Sequence, residues 1–121
     1  MRLFVAAIDL EGSHPDETDA PAEPVVLINP EITIVGGDIV EDWEGCLSIP
    51  DIRGRVPRAR DIQLRAYGRT GERLDVTLRD YAARVVQHEG DHLDGVLFFD
   101  RMRSFETLTF LDEYSRYWLK D

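Results

Sequence analysis

Residues 73–95 read RLDVTLRDYAARVVQHEGDHLDG, and the pattern changes period within them. Residues 73–78 alternate polar with apolar, as a half-buried strand does. Beyond them, Tyr81, Val85, His88 and His92 share one helical stripe, and Ala82, Val86, Glu89 and Leu93 lie beside it. The periodicity predicts a helix that starts between residues 78 and 80. It should stop at Gly95, which suits a left-handed C-cap. Upstream, Ile62, Leu64 and Ala66 alternate with polar residues. Gly68-Arg69-Thr70-Gly71 reads as the turn that joins them to residues 73–78, which makes a hairpin.

Further outward the signals are shorter. Residues 3–8 form a β-prone apolar run, and residues 11–24, rich in Pro, Asp, Glu, Ser and Thr, read as a solvated loop. Residues 25–28 read as a strand closed by the turn pair Asn29-Pro30. Residues 31–35 and 38–42 flank Gly36-Gly37, a two-residue hairpin signal. On the other side, an amphipathic helix is predicted over 104–118, with Ser104 as its N-cap. Strands precede helices, and there is no repeat or linker. The expectation is one α+β domain over 1–121. Small antiparallel or mixed sheets would pack around a central H-E-x-x-H helix, with a second helix at the C-terminal end.

A chain of 121 residues can bury one modest core. Its 24 acidic residues outnumber 14 basic ones, giving a formal charge of −10. Such a field repels phosphate backbones and anionic lipid, so direct nucleic-acid or membrane binding is not expected. No apolar run approaches the roughly 20 residues that span a bilayer. The first apolar run is short and ends in acid, which argues against a signal peptide. A single cysteine cannot form an internal disulfide, and a reducing cytoplasm is the expected compartment.

Within the predicted helix, His88-Glu89-Gly90-Asp91-His92 matches H-E-x-x-H. Positions i and i+4 lie one turn apart on one face, so two imidazoles can reach one ion. Glu89 would flank it where a water sits. The bland alternative is a surface helix with two satisfied histidines. Only three histidines occur, however, and two of them fall at this spacing. A catalytic ion needs three protein ligands and an open position. Cys46 is the leading third ligand because it is the only thiol; taken alone, it could equally be a small buried hydrophobe. No third histidine follows Gly95 at metalloprotease spacing.

Two longer motifs then carry a resemblance. Glu44-Gly45-Cys46-Leu47-Ser48-Ile49-Pro50 and Gln87-His88-Glu89-Gly90-Asp91-His92-Leu93-Asp94-Gly95-Val96-Leu97-Phe98 are similar to two of the three signature motifs of peptide deformylases. The similarity runs over about residues 2–99 and includes Asn29-Pro30 and Val56-Pro57-Arg58-Ala59. These enzymes remove the formyl group from the N-terminal methionine of nascent polypeptides. The resemblance implies one divalent ion on Cys46, His88 and His92. It implies Glu89 as proton carrier and the Leu47 backbone N–H as an oxyanion donor. Fe(II) is the implied ion, with zinc, nickel or cobalt as alternatives. It also places Glu44, Gly45, Arg53, Tyr81, Arg84 and Val85 around the substrate. Each has a plainer alternative. Tyr81 and Val85 could be core, Arg84 and Arg53 solvated, and Glu44 either ion-paired with Arg58 or exposed. Asp91 and Gln87 either orient the ligands or face solvent. The cluster Arg53, Arg55, Arg58 and Arg60 is either a basic patch or a solvated strand edge.

The family's first motif, Gly-x-Gly-x-Ala-Ala-x-Gln, has no counterpart in this sequence. Its glutamine supplies an oxyanion donor, and losing one such donor costs on the order of 10²–10³ in rate. The sequence is read as that of a naturally short deformylase, whose missing donor is replaced by water, another residue or a partner chain. The alternatives are a weak or inactive relative that binds metal or formyl-peptides, and a truncated piece of a longer enzyme. Apolar sheet surface left bare by the missing segment predicts a homodimer.

Overall fold

Alternation along β1 (Leu3–Ala7) turns Phe4 and Ala6 inward and leaves Leu3 and Val5 exposed. β1 pairs antiparallel with β2 (Pro24–Cys46), from Leu3↔Ile28 to Ala7↔Pro24. β3 (Ile49–Tyr67) pairs antiparallel with β4 (Arg73–Arg79), from Asp61↔Arg79 to Tyr67↔Arg73. The sheet order is β1-β2-β3-β4. A two-residue β5 (Thr109–Phe110) pairs with β3 at Ile52 and Arg53. One helix, α1 (Asp80–Leu93), follows β4 directly. This computed structural model describes residues 2–8, 10, 24–46, 49–103 and 108–110; for residues 46, 49–51, 109 and 110 it describes the backbone alone. Strands with a helix after them make the α+β class expected from the sequence.

The chain divides into two units, Met1–Ile39 with Arg58–Val96, and Val40–Pro57 with Leu97–Asp121. In the first, Leu27, Ile62, Leu64, Leu78 and Val86 are fully buried, with Ala82 and Ala83 of α1 among them. Each large side chain removed from water contributes about 1.5–3 kcal/mol. Small residues on the inner face of α1 let it lie close to the strands. A β-carbon at Gly90 would stand 2.7 Å from Ile32 Cδ1. In the second unit, Val56 and Phe98 are buried, and Gly54 lies against Met102, where a β-carbon would meet Cε at 2.6 Å.

The predicted hairpin 62–78 is present. Gly71 N–H donates to Gly68 O at 3.0 Å, and Gly71 takes φ 87°, a left-handed value that glycine adopts without penalty. The end of α1 also follows the sequence. Gly95 takes φ 76°, its N–H reaches His92 O at 3.1 Å, and Val96 N–H reaches Asp91 O at 2.8 Å. These two bonds are the Schellman pattern that satisfies carbonyls of the last turn. At the other end, Arg79 caps α1 without a side-chain hydrogen bond.

Three expectations are corrected. No hairpin forms at Gly36-Gly37, because β2 runs on through both residues. A two-residue type I′ turn needs positive φ at both positions; Gly36 alone of the pair has it, at 72°. A single left-handed glycine inside a strand is the conformation a bulge uses. Asn29-Pro30 does not end its strand either. Asn29 takes φ 49°, and its N–H donates to Arg2 O at 2.6 Å. The bend is thereby stitched to the start of β1 and β2 continues. Finally, Thr109 and Phe110, placed in the predicted helix 104–118, are strand. Their backbone groups are spent on Ile52 and Arg53 of β3, and β-branched and aromatic residues suit that role. Leu108, also in that predicted helix, is exposed and in no regular element; the remainder of the predicted helix, and most of the predicted loop 11–24, lie outside the described residues. A 3-10 turn over Phe98–Arg101, with Asp100 Oδ2 accepting from Leu97 N–H at 3.0 Å, was not expected.

Candidate metal centre

α1 presents two faces. Ala82, Ala83, Val86 and Gly90 are buried, whereas His88, Glu89 and His92 stand half-exposed. The period of 3.6 separates them. A stripe of small residues faces the core, and the stripe one step round carries donors. The His88 and His92 rings lie 4.6 Å apart, centroid to centroid, tilted by 56°. Glu89 Oε2 is 3.9 Å from His92 Nδ1. One donor atom from each of His88, Glu89 and His92 falls within a 4.8 Å cluster that could hold a metal ion. Two imidazoles and a carboxylate are donors that suit a divalent first-row ion.

Neighbouring residues hold this segment against β3. Gln87 accepts from Ala59 N–H at 3.0 Å and donates through Nε2 to Ala59 O at 2.8 Å and Ala83 O at 3.1 Å. Asp91 receives the Arg58 guanidinium, in a pair with side chains 13% and 5% exposed. Neither Gln87 nor Asp91 is a solvated helix residue, and the sequence signal was the place of Asp91 inside the H-E-x-x-H motif and of Gln87 immediately before it. The basic cluster is likewise engaged. Arg60 reaches Asp80 at 3.3 Å and Arg55 reaches Glu41 O at 3.2 Å, so these cations are not a bare patch.

The remaining predicted site residues divide by unit. On α1, Tyr81 is 41% exposed, against the core alternative; Val85 packs against the core and Arg84 is half-buried. In the other unit, Glu44 is 7% exposed, against the solvated alternative. Gly45 lies under Arg53, and a β-carbon there would overlap the guanidinium. Arg53 also donates to Ile52 O at 3.2 Å. Cys46 is the last residue of β2, but its side chain, and all of Leu47, fall outside the described residues.

An antiparallel sheet and, among the described residues, one α-helix carrying a His/Glu cluster that could hold a metal ion define the class, an α+β protein with a candidate metal centre. Residues 1–107 match the polypeptide deformylase family, and the chain belongs to it. It is 48% identical over 103 residues to peptide deformylase 2 of Nostoc sp., covering 85% of this chain and 56% of that one. A plant peptide deformylase crystal structure superposes with a TM-score of 0.71 at 36% identity, covering 95% of this chain and 56% of that one. A class I type b peptide deformylase of Acinetobacter baumannii, solved with Met-Ala-Ser bound, gives a TM-score of 0.69 at 38% identity, covering 84% and 62%. The chain spans about half the length of the curated relatives it matches. Among the described residues, no helix is long and apolar enough to cross a membrane.

Proposed function

We propose that this chain is a metal-dependent peptide deformylase, which hydrolyses the N-formyl group of formyl-methionyl peptides to formate and a free amine. The observation that carries this reading is the clustering of His88, Glu89 and His92 on α1 in a chain of that family. His88 and His92 would hold one divalent ion, and Cys46 would complete the ligand set as thiolate. That assignment rests on the Glu44–Pro50 motif and on the need for three protein ligands with one open position. Fe(II) is the proposed ion, with zinc, nickel and cobalt as alternatives. When bound, such an ion supplies a Lewis acid that polarises the formyl carbonyl and acidifies water beside it.

The chain's own residues account for the remaining chemistry. Glu89 takes a proton on Oε from the attacking water and returns it to the amine nitrogen as the C–N bond breaks. Its one-third exposed carboxylate, beside His92, suits both halves of that shuttle. The Leu47 backbone N–H would donate to the formyl oxygen as it gains charge. Tyr81, Arg84 and Val85, on α1 one to two turns before His88, are assigned to the methionine side chain. Glu44, Gly45 and Arg53 are assigned to the peptide main chain. The relative solved with Met-Ala-Ser supports a short methionyl peptide as ligand.

Nascent chains would deliver the substrate at the ribosome, in the cytoplasm, without direct nucleic-acid contact by this acidic chain. A homodimer is also proposed; exposed Ile34, Val35 and Ile39 on β2 support it, and a monomer in sedimentation at high concentration would argue against it. The central test is formate release from formyl-Met-Ala-Ser by the Fe(II)- or Ni(II)-loaded chain. Glu89→Ala should lower the rate on the order of 10²–10⁴-fold with metal retained. Stoichiometric metal without formate release by the unmodified chain would instead identify a binding module.

A further inference from the structure

Gln87 and Asp91 stand at i and i+4, and each immediately precedes one of the two histidines, His88 and His92. Their partners are consecutive in β3: Asp91 takes Arg58, and Gln87 takes both backbone groups of Ala59. The ladder between β3 and β4 ends at Asp61↔Arg79, and the chain turns into α1 at Asp80. At Ala59, two residues beyond that last pair, the Gln87 carboxamide meets the N–H and the C=O together, as an adjoining strand would. Two tethers one helical turn apart fix both the rotation of α1 about its axis and its height along β3. A single tether would leave one of these free. The histidines, about 100° further round the same two turns, inherit both constraints.

We propose that Arg58, Gln87 and Asp91 are positioning residues that preset the His88 and His92 imidazoles for a divalent cation before it arrives. This rests on the metal-site reading above. The burial of the Arg58–Asp91 pair supports it, because a pair with so little exposure is held in one geometry, unlike an exposed one. So does the bidentate use of Gln87, whose side chain is spent entirely on the backbone of β3 and of α1. Partners behind metal ligands commonly tune affinity 10–100-fold.

The test titrates Co(II) into the full chain against a competing chelator, and records the visible d–d spectrum of the complex. The variants are Gln87→Met, Asp91→Asn and Arg58→Lys, with Gln63→Met as control. Gln63 makes a similar amide contact on β3, to exposed Asp75, but away from the histidines. Gln87→Met and Asp91→Asn should weaken Co(II) binding on the order of 10–100-fold and alter the d–d bands. Arg58→Lys, which keeps the charge but not the fork, should fall between them and the unmodified chain. Gln63→Met should bind as the unmodified chain does. Far-UV circular dichroism of each ion-free variant shows whether it is folded. If Gln87→Met does not fold, Asp91→Asn and Arg58→Lys carry the test alone. Folded variants with unchanged affinity and spectrum would overturn the positioning role. Failure of the unmodified chain to bind Co(II) would instead overturn the metal-site reading.

Discussion

The two faces of α1 do opposite jobs with the same backbone. The inner face is built from Ala82, Ala83, Val86 and Gly90, and its contribution is burial against β1 and β4. That contribution is non-directional and tolerates any apolar side chain of suitable volume. The outer face is built from His88, Glu89 and His92, none of them fully buried, and its value lies in where a few polar atoms stand. Between the faces, Gln87 and Asp91 convert packing into position. Stability should therefore respond to the inner face and chemistry to the outer one.

Substitutions that cross this division can break it. Glu89→Ala should abolish most turnover yet shift the melting temperature very little; a large thermal loss would mean the faces are not separable. Val86→Ala should do the reverse. It removes two buried methyl groups and should cost about 2 kcal/mol in urea unfolding, with metal affinity kept. Loss of the metal at constant fold would show that the inner face also sets the site. Gly90→Ala sharpens the comparison, since Gly90 lies in the motif but on the inner face. A methyl there meets Ile32 Cδ1 at 2.7 Å, while the helix gains about 1 kcal/mol of propensity. A net stability change within about 1 kcal/mol is expected, readable as a small shift in urea midpoint.

The smallest effect lies away from both faces. The Thr70 hydroxyl, and then backbone N–H groups, hold the Glu72 carboxyl below the usual carboxylate range in the β3–β4 turn. A depressed folded pKa contributes stability above the unfolded value, near 4.3, and loses it as pH falls through the folded value. Thr70→Val should raise the Glu72 pKa in NMR titration and flatten that acid-side dependence. The donors on α1 should not notice.

Local patterns carried much of this protein. The alternation of 62–66 and 73–78, the helical period after it, and Gly95 as stop signal were legible because each reflects contacts within a few residues. The H-E-x-x-H donors were legible because helical spacing alone sets two histidines side by side. Gly36-Gly37 misled, since a glycine pair suits both a turn and a bend inside a long strand. Thr109 and Phe110 misled because their neighbours keep a helical period while their own backbone pairs with β3. For Thr109 and Phe110 the deciding bonds come from residues distant in sequence.

By itself, then, the sequence determined the β-hairpin, the helix that follows it and the spacing of the H-E-x-x-H donors on that helix. Only the tertiary structure decided that β2 continues through its glycines, that Arg58 belongs to Asp91, and that Gln87 serves the backbone of Ala59. The physical reason is range. Propensity and periodicity act along a few residues of chain, whereas an ion pair or a side-chain bridge joins positions about thirty residues apart and exists only once the fold has brought them together.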